Sequence, residues 1–443
     1  MARLIGRAGR QHWRRRALSL GVAGILIALM GCGSSSLARV ASGHGALPPN
    51  YVPPTAVIPS GLTATERQQE QIEATVTWDL NHMTLDEKLG QMFLIETTYQ
   101  TYNSDTDAMV TTMHAGAMIV YAQNMSNPTQ LKNYLATIQS HAAIPMMIST
   151  DEEGGGVDRL GNSNFAPAIP AAADMAKDST STIQSLGARE ASQMLSFGIN
   201  TDLAPIADVQ GAPDAIEWNR LFGDNTTTVE RDAGAFLQGL QQNGVIGTLK
   251  HWPGIGSITA DPHLTLPTLN HSKDQLASTD FATFKALLAD DPGMIMVTHV
   301  MVPVYDTKYP ATLSPTLVNG ILRGQLGYDG VVMTDSLYMK AIADTYTLPQ
   351  AGVLSIIAGD DLLEGAFDSY SMAAMIAAIK AAMTAGTITQ ARITQSARRI
   401  LTLKARFGLL PLLPTTHGPV QALTISASGG GASVAETPRR QLA

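Results

Sequence analysis

The segment GYDGVVMTDSLYM, residues 327–339, places a carboxylate directly after a short apolar run. Residues 330–333 have the length and apolar character of a buried strand, and Asp335 follows at its carboxyl end. A carboxylate at the end of a rigid strand is well placed to act as a nucleophile or a general base. Asp335 also precedes a predicted helix, where aspartate is a common N-cap, so spacing alone leaves both roles open.

The same arrangement of apolar run and polar end recurs along the chain. We predict strands at residues 91–95, 117–121, 145–149, 201–205, 244–249, 294–298, 330–333 and 360–363. Helical patterns separate these runs, as is typical of repeated βα units. Eight such units close an α/β fold, the (β/α)₈ or TIM barrel, and we expect a single catalytic domain of this kind.

Polar side chains cluster just after the predicted strands. They are Glu96, Gln123, Asn124, Asp151, Glu152, Glu153, Asp208, Lys250, His251, His299, Asp335 and Glu364. Because every strand of a TIM barrel points its carboxyl end at the same face, these side chains should converge on one mouth. A doubly wound sheet would gather functional groups only near a switch point, so their distribution over all strands favours the barrel.

The segment DEEGGGVDRL, residues 151–160, combines adjacent acids with three glycines. The glycines allow the backbone to approach a ligand closely, and Arg159 can return toward the mouth. Three neighbouring carboxylates repel one another unless they are solvated or meet polar groups. A ligand-binding segment and a solvated loop therefore both remain open for Asp151.

The segment KHWPGIGSITADPH, residues 250–263, ends another predicted strand. Successive strand residues face opposite sides, but the turn at Pro253 and Gly254 would let both Lys250 and His251 reach the mouth. A structural role for His251 is the alternative. No phosphate-loop pattern surrounds the glycines, which we interpret instead as hinges of a mobile loop.

Metal binding and acid–base chemistry compete as explanations for the histidines of this region. The side chains of metal-ligand type are His251, Asp261, His263 and His271. They lack the short paired spacing of metal sites, and the neighbouring Lys250 opposes a cation, so we expect no metal. Asp261 lies two residues before His263 and can fix its tautomer and raise its basicity. We therefore predict that these two residues transfer protons.

Residues 1–32 have the features of a lipoprotein signal peptide. Six arginines precede an apolar run, and Cys32 follows it at the position where a lipid-modified cysteine would stand. An ordinary secretory signal and a twin-arginine signal are the alternatives. Cys32 is the only cysteine of the chain, which excludes an intramolecular disulfide.

The segments on either side of the predicted barrel are rich in small and polar residues. We predict a flexible Ser/Gly/Pro-rich tether at residues 33–70, the barrel at residues 71–412 and a disordered tail at residues 413–443. The chain would then be exported and lipid-anchored at the outer face of the bacterial cytoplasmic membrane, or released as a periplasmic or extracellular protein.

Charge and composition limit the partners of the mature protein. Removal of residues 1–32 with their six arginines would change the formal net charge from −8 to −14. Such acidity disfavours nucleic acid as a partner. Hydrophobic residues make up 45% and charged residues 15% of the chain, as in a soluble globular domain. We expect a monomer.

Six motifs resemble those of glycoside hydrolase family 3, specifically its single-domain β-N-acetylglucosaminidase branch. They are DEEGGGVDRL, NRLFGD, KHWPGIG, DPH, PATLS and LRGQLGYDGVVMTDSLYM, and the similarity extends from about residue 83 to about residue 408. The resemblance implies a TIM barrel and an exo-acting retaining β-N-acetylhexosaminidase. It further implies peptidoglycan fragments as the carbohydrate substrate and no cofactor.

The resemblance also assigns roles to individual residues. It implies that Asp335 is the nucleophile and that His263 donates and accepts the proton, with Asp261 as its partner. It implies sugar binding by Asp151, Arg159, Arg220, Lys250 and His251. Family β-glucosidases place the acid–base carboxylate on a second domain, for which we expect no room after residue 407, so the Asp261–His263 pair would replace it.

Three positions depart from the family pattern. Gly156 stands where the family has an arginine, Ile255 where a histidine is common, and Ser336 where an aspartate follows the nucleophile. None of them touches the catalytic pair, but they leave substrate preference open. A β-glucosidase or β-xylosidase, a phosphorolytic enzyme and a non-catalytic lipid-anchored sugar-binding protein are the alternatives.

Overall fold

The computed structural model describes residues 54–213, 215 and 219–418. The predicted signal peptide with Cys32 lies outside the described residues. Among the helices of the described part, none is long and apolar enough to cross a membrane.

Eight parallel strands form the centre of the fold. They are β1 (Phe93–Glu96), β2 (Ala117–Ile119), β3 (Met147–Thr150), β4 (Thr201–Asp202), β5 (Ile246–Trp252), β6 (Met294–Val297), β7 (Val331–Thr334) and β8 (Leu363–Ala366). Consecutive strands pair from β1 to β7, and β8 pairs with β1. A parallel bridge between Met333 and Leu362 joins β7 to β8 and closes the barrel. The predicted TIM barrel and its eight strands are confirmed.

Helices surround the barrel and connect its strands. The longer ones are Ala64–His82, Leu85–Gln91, Pro128–His141, Thr180–Phe197, Thr226–Gln242, Asp280–Leu287, Leu348–Ala358, Ser369–Thr384 and Gln390–Arg406. Short helices are Ser104–Asp107, Arg159–Asn162, Ala172–Met175, Lys273–Ser278 and Lys340–Ala343, with π-helical turns at Ala108–Thr112 and Thr316–Arg323. Side-chain caps begin many of the long helices, as where Asn225 accepts the backbone N–H of Thr228.

The strands are buried on both faces, which explains their continuous apolar runs. All seven residues of β5 and all four of β7 are buried. Side chains such as Phe93, Met118 and Ile148 are fully enclosed in the main core. A rigid barrel of this kind holds the residues at its strand ends in fixed positions.

The fold extends beyond the predicted barrel bounds of 71 and 412 at both ends. Strand Ala56–Pro59 pairs in parallel with strand Thr415–Gly418, and helix Ala64–His82 begins inside the predicted tether. Ile58 and Leu413 are buried together in a small separate core. The average composition of each segment concealed these few apolar residues, so both predicted boundaries were wrong within the described part of the chain.

Candidate active site

A pocket of about 670 Å³ opens at the carboxyl ends of the barrel strands. Its lining includes a residue from every strand or the loop that follows it: Glu96, Tyr121, Asp151, Leu203, Lys250, Thr298, Asp335 and Glu364. Eight of the twelve side chains predicted to converge on one mouth line this pocket; the other four, Asn124, Glu152, Asp208 and His299, do not.

Three cations on one side of the pocket, Arg159, Arg220 and Lys250, form what we call the cation clamp. Lys250 Nζ lies 2.9 Å from Asp151 Oδ1 and 2.5 Å from Glu153 Oε1. Arg159 Nη2 lies 3.1 Å from Asp151 Oδ2. Arg220 donates to both oxygens of Glu153, at 2.6 and 2.8 Å. These acids are held by cations inside the pocket, so the solvated-loop alternative is wrong.

The clamp keeps its acids ionised despite their burial. Burial alone would raise the pKa of Asp151, but Lys250 and Arg159 lower it below the ordinary value. Burial would likewise raise the pKa of Glu153, yet Lys250 and Arg220 hold it far below its usual range. The pKa of Lys250 is raised in spite of burial, because both carboxylates face it. At neutral pH this side of the pocket therefore presents fixed charged donors and acceptors.

Asp208 holds His251 and the loop that follows it. The Lys250–His251 peptide is cis, and both side chains line the pocket as predicted. His251 Nδ1 lies 2.8 Å from Asp208 Oδ2, which also accepts the His251 backbone N–H at 3.1 Å. Asp208 Oδ1 accepts the Ile255 N–H at 2.9 Å. Sequence reasoning placed Asp208 near the mouth by its strand-end position but assigned it no role.

Asp335 is half-buried in the pocket lining, with both carboxylate oxygens accepting hydrogen bonds. Oδ1 accepts the Ser336 N–H at 2.8 Å, and Oδ2 accepts from Thr298 Oγ1 at 3.2 Å. Burial alone would raise its pKa, but the His299 and His251 imidazoles lower it below the ordinary value. The next helix begins at Lys340 with Met339 as its N-cap, so the N-cap alternative for Asp335 is wrong.

The Asp261–His263 pair lies at the rim of the pocket. Asp261 Oδ1 accepts from His263 Nδ1 at 2.8 Å and from the His263 backbone N–H at 2.9 Å. The ring is thereby oriented through Nδ1, which leaves Nε2 as the nitrogen for proton exchange. The His263 side chain is 70% exposed, and both residues line the pocket. The structure thus brings the predicted pair together in the pocket that Asp335 also lines.

The glycines between these two groups fix the loop rather than hinge it. A Cβ at Gly254, where φ is 122°, would lie 2.5 Å from Asp280 Oδ1. A Cβ at Gly256 would overlap the carbonyl oxygen of Val209. Both glycines are buried, and exposure begins only beyond them, near Thr259. The predicted hinges are therefore wrong at these positions, because close packing requires glycine there.

The remaining metal-ligand types do not assemble. His271 Nδ1 lies 3.0 Å from Asp280 Oδ2, a partner separate from the pocket acids. Across the described residues, no group of three or more His, Cys, Asp or Glu side chains is arranged to hold a metal ion.

Glu96 and Glu364 line the pocket from β1 and β8. Glu96 Oε1 accepts from Ser336 Oγ at 2.7 Å, and Glu364 Oε1 accepts from Tyr121 Oη at 3.0 Å. Burial, followed by repulsion from Asp335, raises the pKa of Glu96 to about 7. Burial and Glu96 raise the pKa of Glu364 well above its ordinary value. Sequence reasoning found both acids at strand ends but gave neither a role, and it missed Tyr121.

Comparison with known proteins agrees with this geometry. Residues 84–403 match the glycosyl hydrolase family 3 N-terminal domain. The chain is 33% identical over 313 residues to β-hexosaminidase LpqI of Mycobacterium tuberculosis, covering 68% of this chain and 78% of that protein. It is 29% identical over 373 residues to β-hexosaminidase A of Pseudoalteromonas piscicida, covering 73% of this chain and 61% of that protein.

Solved structures give the same result. A family 3 β-N-acetylglucosaminidase from a Paenibacillus species superposes with a TM-score of 0.71 at 32% identity, covering 79% of this chain and 66% of that one. LpqI of Mycobacterium tuberculosis superposes with a TM-score of 0.68 at 30% identity, covering 73% and 94%. With its motifs, barrel and pocket in agreement, this chain belongs to glycosyl hydrolase family 3.

Proposed function

We propose that this protein is an exo-acting, retaining β-N-acetylhexosaminidase that removes terminal β-linked N-acetylglucosamine. The observation that carries the proposal is that Asp335, whose pKa is lowered, lines the same pocket as the hydrogen-bonded Asp261–His263 pair. Retaining glycosidases need a nucleophile on one side of the scissile bond and a proton donor on the other. The names of the relatives support N-acetylhexosamine as the sugar.

The reaction proceeds in two displacements. Asp335 attacks the anomeric carbon while the bond to the glycosidic oxygen breaks, and His263 gives that oxygen the Nε2 proton. The sugar is then an ester of Asp335. Water attacks the same carbon, His263 takes its proton, and the carbon–Asp335 bond breaks to release the sugar. Asp261 keeps the ring oriented through both steps.

The clamp and its acids hold the sugar during this chemistry. Asp151 supplies acceptor oxygens and Lys250, Arg159 and Arg220 supply donors, in positions that the mutual ion pairs fix before substrate arrives. His251 lines the same wall. Preformed charged hydrogen bonds of this kind favour one orientation of the sugar hydroxyls.

The test is hydrolysis of a panel of chromogenic N-acetyl-β-glucosaminide, β-glucoside and β-xyloside. We expect the N-acetylglucosaminide to have the highest kcat/KM. Asp335→Ala should lower its kcat by about 10⁴-fold or more, as loss of a nucleophile does elsewhere. The control is Asp274→Asn, which changes an exposed acid. Substantial activity of Asp335→Ala would overturn the assignment.

The alternatives have separate outcomes in the same panel. Higher kcat/KM for the glucoside or xyloside would make the protein a β-glucosidase or β-xylosidase. A rate that rises with inorganic phosphate, with a sugar phosphate as product, would indicate phosphorolysis. Calorimetric sugar binding without turnover would indicate a sugar-binding protein.

The natural substrate and location are further parts of the proposal. The resemblance to the peptidoglycan-recycling branch supports peptidoglycan fragments, and release of N-acetylglucosamine from a muropeptide-like fragment is the test. The cysteine after an apolar run supports lipid attachment at Cys32 and anchorage at the outer face of the membrane. Cys32→Ala should move the protein from the membrane fraction to the soluble fraction. Light scattering of the purified protein tests the proposed monomer.

A further inference from the structure

The acids that line the pocket differ in whether a lysine or arginine pairs with them. On the clamp side, every cation is paired with Asp151 or Glu153. Glu96, Glu364 and Asp335 are the other acids considered in the pocket lining. Over residues 54–213, 215 and 219–418, no lysine or arginine forms an ion pair with Glu96 or Glu364. Glu364 is buried and Glu96 half-buried, and neither has an ion-pair partner among the described residues, although Lys340 and Arg159 also line the pocket.

Glu364 lines the pocket and has one carboxyl oxygen without a hydrogen-bond partner among the described groups. The residue is 2% exposed and its Oε1 accepts from Tyr121 Oη. Its Oε2 is buried and has no hydrogen-bond partner among the described protein groups. Its backbone N–H donates to Thr334 Oγ1 at 3.0 Å, which holds the strand end in place. A buried polar atom without a protein partner is uncommon in a native structure, and at a pocket wall it indicates a ligand group.

Glu96 lies next to the nucleophile. It accepts a hydrogen bond from Ser336, whose backbone N–H donates to Asp335. Ser336 therefore connects the Glu96 carboxyl to Asp335, the group that attacks the anomeric carbon, through hydrogen bonds. Because the neighbouring sugar carbon is bonded to the anomeric carbon, a substituent on it would come close to the residues around Asp335 when a sugar is bound there.

A cation is the ligand group that these carboxyls lack. Acids that are withdrawn from water and have no ion-pair partner, as half-buried Glu96 and buried Glu364 are, are costly to ionise, and they hold protons that a cation can displace. The raised pKa values of Glu96 and Glu364 agree with this state of the free protein. An ammonium group donates three hydrogen bonds and carries the missing charge, whereas a hydroxyl or an amide carries none.

We propose that Glu96 and Glu364 bind the protonated 2-amine of an unacetylated amino sugar, so that the enzyme also cleaves β-glucosaminides. This inference rests on the proposed double displacement, and the bonds made and broken are the same, with one water consumed. The two substrates differ only in the group on the carbon next to the anomeric carbon. Glu96 and Glu364 would bind that group when it is an amine.

The experiment compares 4-nitrophenyl β-glucosaminide with its N-acetyl counterpart at pH 6, where the amine is protonated. We expect the wild type to cleave both. Glu96→Gln/Glu364→Gln removes the acids and keeps their shape, and it should lower kcat/KM for the glucosaminide about tenfold more than for the N-acetyl substrate. Glu70→Gln/Asp274→Asn, which removes two exposed acids, should leave that ratio unchanged.

A second measurement uses free sugars as competitors and needs no glucosaminide turnover by the variant. Glucosamine should inhibit the wild type, and its inhibition constant should rise about tenfold in Glu364→Gln, checked for folding by circular dichroism. Failure of the wild type to cleave the glucosaminide overturns the inference, as does an equal loss for both substrates. Failure of the proposed function is distinct, because it would abolish cleavage of the N-acetyl substrate.

Discussion

Asp151, Glu152 and Glu153 are neighbours in sequence and are all withdrawn from solvent. The pKa values of Asp151 and Glu153 are nevertheless lowered, whereas that of Glu152 is raised. The cation clamp lowers the pKa of Asp151 and Glu153 against the effect of burial. Burial, followed by repulsion from Glu190, raises the pKa of Glu152 to about 11. Glu152 faces away from the clamp and its backbone N–H donates to Asp202. The difference shows that the partners of a buried acid, more than its burial, decide its charge.

Of the substitutions that test this difference between the acids, Lys250→Met should have the largest effect. It removes the shared cation, so Asp151 and Glu153 should become as hard to ionise as Glu152. We expect kcat/KM to fall about 10²- to 10³-fold and the free energy of unfolding to fall by about 3–5 kcal/mol. Enzyme assays and urea unfolding measure the two effects.

The control for this change is Lys177→Met. Lys177 pairs with Asp174 at 2.7 Å on the exposed surface, where an ion pair stabilises the protein by about 0–1 kcal/mol at most. Normal activity of Lys250→Met would mean that the clamp does not hold the substrate.

A smaller expected effect comes from Asp261→Asn at the pocket rim. Asp261 is partnered by an imidazole rather than by a fixed cation. The substitution removes the charge that orients and assists His263, so kcat should fall about 10²-fold while KM changes little. Steady-state kinetics gives both parameters, with the exposed Asp178→Asn as reference. A raised KM at unchanged kcat would instead assign Asp261 to substrate binding.

Glu190→Gln tests the acids behind the clamp through stability. Burial raises the pKa of Glu190 to about 8. The folded protein therefore keeps a proton that the unfolded chain releases above about pH 4.5. The contribution of Glu190 to wild-type stability should fall by about 1.4 kcal/mol per pH unit between these values and then level off.

The variant should lack this decline, so its advantage should grow from pH 5 to pH 8. Urea unfolding at pH 5, 6.5 and 8 measures it, and Glu70→Gln on the exposed surface should show no such trend. An advantage that shrinks as pH rises would show that Glu190 is ionised in the folded protein.

The smallest expected effect is that of Glu152→Gln. With a pKa of about 11, Glu152 is already uncharged at neutral pH, and its Oε1 accepts the Leu160 N–H at 2.9 Å. Glutamine keeps that oxygen and adds no charge, so kcat/KM should stay within about threefold. Parallel assays of Glu153→Gln, which loses a clamped carboxylate, should show a much larger loss. Equal losses would remove the distinction between the two acids.

The sequence predicted the barrel because its signal is local. Apolar runs such as residues 330–333 recur at regular spacing, and parallel strands bring their carboxyl ends to one face. The position of Lys250 at the pocket was predictable because it lies at a strand end, and the contact between Asp261 and His263 was predictable because they are two residues apart. Their catalytic and binding roles remain predictions.

Which charged side chains pair with one another was not predictable from the sequence in this way. Adjacent acids look alike in sequence, and only packing decides that Glu153 meets Lys250 while Glu152 meets Glu190. Asp208 and Glu364 act through side chains more than 40 residues and more than 240 residues away in sequence, respectively, namely His251 and Tyr121. Such long-range contacts leave no periodicity that a single sequence could reveal.

The pairing of strand Ala56–Pro59 with strand Thr415–Gly418 limits how the chain can be circularly permuted. Because the two strands are parallel, the chain enters this ribbon at one end and leaves it at the other. Four extended residues span about 13 Å, so a circular permutant joining residue 418 to residue 56 needs a connector of at least about four residues. New ends could be opened at the exposed Gly386, between helices Ser369–Thr384 and Gln390–Arg406, without cutting any barrel strand.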